Sequence, residues 1–558
     1  MEGVGTSTAG FIGLAERGPV KGVPELVTSF ADFRRKYGGY LSENAFGEYR
    51  YLAYAVEHFF INGGTRCYVA RVAPSDAKCA VGYVPNEENA LLKVTAKNPG
   101  AWGDNIRVVI SPASKAKTQI LEEVETNNGK KYLVKNAAGF HPGDVVVFTD
   151  GSEQIFNRVA KVQDNLLQFA EEFTADVVDK NLLPSKVIST CEFSLEVKYE
   201  DAEEFYENLS FNPEEANFVG KKLEKSDLVT VQYTGEVGDE AVPPYEELAA
   251  GAEKAVVSIS LANGSDGSVA SLSPADFIGT DNGAGQRTGI QAFLDNDMVS
   301  IMAVPGIVDP NVQLSLVAHC ENLGSRFAVL DMPRDARKVQ DILKHRDIFD
   351  TNYAAFYHPW LEVFDPLDKK NIAVPPSGSV LGIYARSDST RGVHKAPANE
   401  NVRACVGLDV QFNKGEQDIL NPKGVNLIRA FPGQGIRVWG ARTATSNPSW
   451  KYVNVRRLFI YVEETIKANT NWVVFEPNDE ALWVRVKRTI DVFLTGLWRA
   501  GSLAGSSAAE AFFVNIGRDT MSQDDIDNGR LVCVIGIAPV KPAEFVIFRI
   551  SQKTGDAE

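Results

Sequence analysis

Residues 299–330 read VSIMAVPGIVDPNVQLSLVAHCENLGSRFAVL. The apolar run 299–304 is closed by Pro305-Gly306, which predicts a strand ending in a turn. Residues 311–323 predict a helix, and Gly324 stands where a helix end needs a left-handed residue. Residues 326–330 predict the next strand, and 352–356 another. Strands alternating with helices over 228–400 predict a parallel sheet covered by helices.

Toward the N-terminus the texture stays mixed. Residues 9–14 predict a strand ended by Gly18-Pro19, and 67–72 a buried one. Ser29 suits the N-cap of a helix over 31–37, which Gly38-Gly39 stops. Tyr51, Tyr54, Ala55, His58 and Phe59 fall at helical spacing and predict one helix over 46–60, ended by Asn62-Gly63-Gly64. From about 98 to 218 the chain turns to β. Strands at 107–110 and 193–197 bracket short runs at 144–148, 158–162 and 166–169, which predicts a small barrel or sandwich nested at about 112–188. Residues 401–558 read as α+β, with amphipathic helices at 451–468 and 479–500 and a terminal strand. The expected division is 1–96, 97–220, 221–400 and 401–558.

The chain has 558 residues, too many for one core, so two to four domains are expected. With 44% hydrophobic and 10% aromatic residues it can fill them. A net charge of −16 excludes a whole-chain nucleic-acid footprint. Cys67, Cys79, Cys191, Cys320, Cys405 and Cys533 are scattered without a C-x-x-C pair, which predicts free thiols in a reducing compartment. Residues 1–8 do not read as a secretory signal, and the run 532–539 is too short to span a bilayer. The expectation is cytoplasmic synthesis without membrane insertion, with exit by lysis or inside a larger particle.

Chemistry-bearing motifs are incomplete. Residues 263–268 (NGSDGS) look like a phosphate loop but lack a lysine, so a structural turn is expected. Residues 283–289 miss the dinucleotide spacing, and 501–507 lack the P-loop lysine. The six histidines form no metal-binding pair, so no metal and no cofactor is expected. His319 beside Cys320 reads as a partly exposed histidine next to a core thiol. Glu203-Glu204 and Glu214-Glu215 read as solvated faces of helix-like stretches.

Two surface elements stand out. Residues 545–548 (Phe545, Val546, Ile547, Phe548) are apolar on both faces of a terminal strand, which predicts pairing with another subunit's sheet edge. Residues 477–480 begin a helix with acids in its first turn. Along it Leu482, Val486, Ile490, Phe493 and Leu497 share one side, while Arg485, Arg488 and Arg499 share another. Residues 426–500 carry 11 Lys or Arg and 6 Asp or Glu, so this segment is +5 within an acidic chain.

Several blocks resemble the tail sheath family of contractile phage tails and contractile injection systems. They are Ala9-Gly-Phe-Ile-Gly-Leu-Ala-Glu-Arg-Gly-Pro19, Phe59 to Val69, Ala101 to Arg107, Phe205 to Ser210 and Leu261 to Gly267. The strongest run is Val374-Pro-Pro-Ser-Gly378, Gly382-Ile-Tyr-Ala-Arg386 and Arg391-Gly-Val-His-Lys-Ala-Pro397. Gly424 to Ile428, Val438 to Thr443, Phe475-Glu-Pro477 and Trp498-Arg-Ala-Gly501 follow it.

The resemblance implies a subtilisin-like α/β sheath core without the catalytic triad, a conserved C-terminal sheath domain and an inserted β domain. It implies a structural role without enzyme activity. Subunits would stack as hexameric rings in a helical array around an inner tube protein, with baseplate and terminator or cap proteins as further partners. Contraction would drive the tube through a target cell envelope. The basic face of Arg485, Arg488 and Arg499 on an acidic chain suggests an acidic partner, and the resemblance implies that this partner is the tube. The family's N-terminal donor arm is expected to be absent, since Met1 stands directly before Glu2. A degenerate serine protease and another structural tail component are the alternative readings.

Overall fold

The computed structural model describes residues 1–126, 129–150, 153–171, 187–235, 241–250 and 256–544. They form two compact units, one of residues 1–15, 19–72 and 272–558, the other of residues 16–18 and 73–271.

The first unit is built on a nine-stranded sheet. Six neighbours run parallel: Cys67–Val72, Ala9–Leu14, Ile301–Ala303, Phe327–Asp331, Ala354–His358 and Val425–Phe431. Antiparallel strands close both margins. The parallel strands are nearly continuous apolar runs because both faces are covered, and Ala9–Leu14 is buried at every residue. The Pro310–Leu323 helix follows the Ile301–Ala303 strand, capped by the Asp309 carboxylate and ended by Gly324 at φ 69°.

The Ser377–Arg391 helix lies in the core against Leu52–Asn62. A Cβ on Gly378 would strike the Ala55 carbonyl, and one on Gly382 the Phe59 carbonyl. Glycines one turn apart therefore let the two backbones touch. The helix expected over 46–60 is interrupted: Glu43–Phe46 stops at Gly47, whose φ of 51° breaks the helical path, and the longer helix starts at Leu52.

The second unit contains a four-stranded sheet, Ala202–Leu209, Glu192–Tyr199, Arg107–Ala113 and Val257–Ser260, and a three-stranded one. Six further strands close a barrel, from Lys117–Thr126 to Val187–Thr190, around Ile120, Tyr132, Phe148, Leu167 and Ile188. Two connections tie the barrel to the four-stranded sheet, residues 114–116 and Cys191. Glu203-Glu204 lie on a strand rather than a helix. Glu215 is buried, in contrast to the solvated face expected, because it faces a lysine.

Candidate functional site

In open α/β sheets ligands bind beyond the carboxyl ends of the strands. There, Phe327–Asp331 delivers Asp331, which is 2% exposed. Its carboxylate accepts hydrogen bonds from Ser377 N (2.9 Å), Ser377 Oγ (2.7 Å) and Gly306 N (3.1 Å). Burial pushes Asp331 up to about 6 against the pull of these donors. Ser377 opens the Ser377–Arg391 helix, so the carboxylate fixes that helix end to the strand. The serine–aspartate bond is direct, whereas a nucleophilic triad places an imidazole between them.

A serine–histidine pair exists elsewhere in this unit. Ser502 Oγ lies 3.0 Å from His394 Nδ1, but Ser502 is 5% exposed and beyond the reach of a bulky substrate. Burial lowers the His394 pKa, with Arg391 adding to the effect.

The other motifs are structural. In residues 263–268 the Gly264 N–H donates to Asp104 (2.7 Å), that of Ser265 to the Lys78 carbonyl (3.0 Å) and that of Ser268 to Asp76 (3.0 Å). Donors that would cradle a phosphate are already engaged. His319 is buried rather than partly exposed, its Nε2 2.7 Å from the Arg326 guanidinium. Cys320 is buried, and burial pushes its thiol up to about 12. The six cysteines are free. Among the described residues no three His, Cys, Asp or Glu gather as a metal site, and no helix is long and apolar enough to cross a membrane.

The Glu480–Arg499 helix has two faces. Asp479 caps it by accepting from Leu482 N at 2.8 Å. Leu482, Trp483, Val486, Ile490, Phe493 and Leu494 are buried and Leu497 is half-buried. Each fully buried large apolar side chain contributes about 1.5–3 kcal/mol before entropy. Opposite them Arg485, Arg488 and Arg499 are exposed. Arg485 is held within the chain, 2.9 Å from Glu476 Oε2 and over the Trp472 ring. Arg488 and Arg499 have no ion-pair partner among the described residues and line an open groove with Val484 and Val492.

The sequence reading missed those two valines, exposed at 66% and 64%, because apolar residues off the core stripe look like noise in a helical pattern. It also missed the loop before the helix. There Val474 is 62% exposed, and Phe475 is fully exposed at φ 68°.

Near the C-terminus, Phe512–Ile516 and Cys533–Ile537 form an antiparallel two-stranded sheet. Phe513 is 51% and Val534 44% exposed. Among the described residues neither outer edge carries a further strand. The strand expected at Phe545, Val546, Ile547 and Phe548 lies outside the described residues.

A parallel sheet with structural acid–serine contacts, an inserted barrel and exposed basic and apolar surfaces defines a multidomain α/β protein equipped for association. Residues 283–444 match the family model of the phage tail sheath protein central domain, and 445–553 that of the phage tail sheath C-terminal domain. The tail sheath protein of Escherichia phage P2 is 27% identical over 214 residues, covering 36% of this chain and 53% of that protein. That of Vibrio phage KVP40 is 27% identical over 230 residues, covering 40% of this chain and 33% of that one. The aligned stretches thus span about half and a third of these two relatives.

In fold, the chain resembles the helical sheath of the anti-feeding prophage in its contracted state, with a TM-score of 0.51 at 20% identity over 99% of this chain and 95% of that one. It also resembles a sheath tail protein from Listeria innocua, with a TM-score of 0.54 at 10% identity over 97% and 96%. Over residues 283–553 the chain therefore matches the central and C-terminal domains of the phage tail sheath family.

Proposed function

We propose that this chain is a structural, non-catalytic subunit of a contractile sheath. Its copies stack as hexameric rings in a helical array around an inner tube protein, between baseplate and terminator or cap proteins, and contraction drives the tube through a target cell envelope. The observation that carries this reading is the likeness in fold, over nearly the whole chain, to a helical sheath. The α/β unit is read as a subtilisin-like scaffold without the catalytic triad. Such a subunit is a component of a phage tail or contractile injection particle.

Two surfaces are assigned to assembly. Arg488 and Arg499, with Arg485 beside them and Val484 and Val492 between, face the tube. Exposed ion pairs are individually weak and exchange readily, which suits a tube that must slide free. The edges of the Phe512–Ile516 and Cys533–Ile537 sheet, which carry no further strand among the described residues, support strand exchange, with Phe545, Val546, Ile547 and Phe548 as the donated strand.

Electron microscopy of the purified particle tests the reading. A sheath shows ring stacks that widen on contraction, and tubes of fixed diameter would overturn it. Charge reversal by Arg485→Glu and Arg488→Glu should leave a folded subunit that no longer polymerises on tubes. A serine-directed covalent probe should leave the chain unlabelled.

A further inference from the structure

The second unit holds a buried charge cluster that the sheath role does not use. Lys115 Nζ lies 2.7 Å from Asp144 Oδ1, 3.0 Å from Glu215 Oε2 and 3.5 Å from Glu192 Oε1. The three carboxylate side chains are 1%, 6% and 3% exposed and the lysine 14%. Three carboxylates against one ammonium leave a charge of −2 if all ionise, a heavy cost in a buried site.

The remaining donors do not remove it. Glu192 Oε2 takes Lys115 N (2.7 Å) and Thr190 Oγ1 (2.8 Å), and Asp144 Oδ2 takes His141 N (2.7 Å). Glu215 Oε1 is buried with no hydrogen-bond partner among the described residues, which is the place a proton would fill.

The cluster sits at both connections of the barrel. Lys115 belongs to the segment that enters it, and Thr190 and Glu192 flank Cys191, where the chain leaves it. Asp144 immediately precedes a barrel strand, while Glu215 lies in the loop after Ala202–Leu209 of the four-stranded sheet. Both connections are further pinned by main-chain bonds, Thr190 N to Ala116 O (2.9 Å) and Cys191 N to Val145 O (2.8 Å). Beside them is a cavity of about 50 Å³ lined by Asp144, Arg158, Cys191, Glu192, Asn212 and Glu247.

We propose that Lys115, Asp144, Glu192 and Glu215 form a proton-loaded latch that fixes the barrel on the four-stranded sheet and loosens when the proton shared by Asp144 and Glu215 leaves.

Burial and the Glu215 carboxylate raise Asp144 to about 8, against the pull of Lys115 and the His141 amide. Burial opposes ionisation of Glu215 too, but hydrogen bonds from Asp144 and Lys115 outweigh it and its pKa falls. Glu192 is raised by burial. Of the other groups facing the site, the His141 ring lies 3.9 Å from Asp144 and Arg158 donates to the Gly143 carbonyl. Glu247 is raised by burial, with Arg158 pulling the other way. The folded value of Asp144 stands above the unfolded one, so the closed latch is favoured at low pH and weakened as pH rises through about 8.

Hydrogen exchange of the full chain, read by mass spectrometry and corrected for intrinsic rates, tests this. Local opening of peptides spanning 113–117, 143–147 and 190–194 should rise about tenfold between pH 7 and 9, as release of one proton with a value near 8 requires. In Asp144→Asn, which cannot lose that proton, the same peptides should change less than about twofold. Glu215→Gln gives the same test through the other partner. Parallel curves for wild type and either variant would overturn the latch. So would a flat wild-type curve, or a rise shared by the barrel interior at 130–134, each readable on wild type alone.

Discussion

Asp331 and Asp144 are both buried acids beside a strand end, yet the two units neutralise them differently. Among the described residues Asp331 has no cation against it. Three donors from a helix start and a turn converge on it, so its charge is met by oriented dipoles that cannot leave without moving backbone. Asp144 has a lysine 2.7 Å away, but shares it with two other carboxylates. The first arrangement is built from backbone and hydroxyl dipoles and serves a helix seated in the core. The second is balanced on one proton and sits where two short connections carry a whole barrel.

Removing the lysine breaks this contrast most severely. Lys115→Met strands three carboxylates in a buried site. Loss of one partner from a buried ionic group costs about 3–5 kcal/mol, and the 14% exposure of the Lys115 side chain puts the expected loss at the lower end. Denaturant unfolding of the full chain should show an earlier transition for the second unit. The loss should shrink at pH 5, where the carboxylates take up protons, and grow at pH 8.

Asp331 sharpens the comparison through its own pH window. Its folded value of about 6 lies above the ordinary carboxylate range near 4. The folded state therefore binds more protons than the unfolded one between about pH 4 and 6, so this group's contribution falls as pH rises through that window. A displacement of about two units amounts to about 2–3 kcal/mol. Asp331→Asn should flatten wild-type stability over pH 4–6, at the expense of one acceptor for the Ser377 donors. An unchanged slope would mean that the converging dipoles already cancel the effect of burial.

How far the sequence carried these features follows from how local they are. The 299–330 stretch announced strand, helix and strand because apolar runs, Asp309-Pro310 and Gly324 act within a few residues. The two-faced helix after Asp479 was readable for the same reason. Within the strongest family-like run, 374–397, the part from 374 to 386 is explained by packing: Ser377 meets Asp331, and Gly378 and Gly382 let two helices touch. The latch was not readable, because Lys115, Asp144, Glu192 and Glu215 are brought together only when the barrel closes. Glu215 looked like half of a solvated acid pair, since its partner stands 100 residues away.

The smallest effect is expected where charge meets water. Arg488 and Arg499 are exposed, unlike Asp144 and Asp331, and have no ion-pair partner among the described residues. Arg488→Glu with Arg499→Glu should move the isolated subunit's stability by no more than about 0.5 kcal/mol, because surface substitutions remove little burial. Arg485 is the internal control, since it already spends its charge on Glu476 and its face on Trp472. If free charge on this face recruits an acidic tube, reversing Arg488 and Arg499 should impair sheath assembly on tubes more than Arg485→Ala does, and added salt should weaken wild-type assembly. If Val484 and Val492 carry the contact instead, Val492→Ser should be the more damaging change and assembly should tolerate salt. Co-sedimentation of each variant with preformed tubes at low and high ionic strength separates the two, because burial of apolar surface is not screened and exposed charge is.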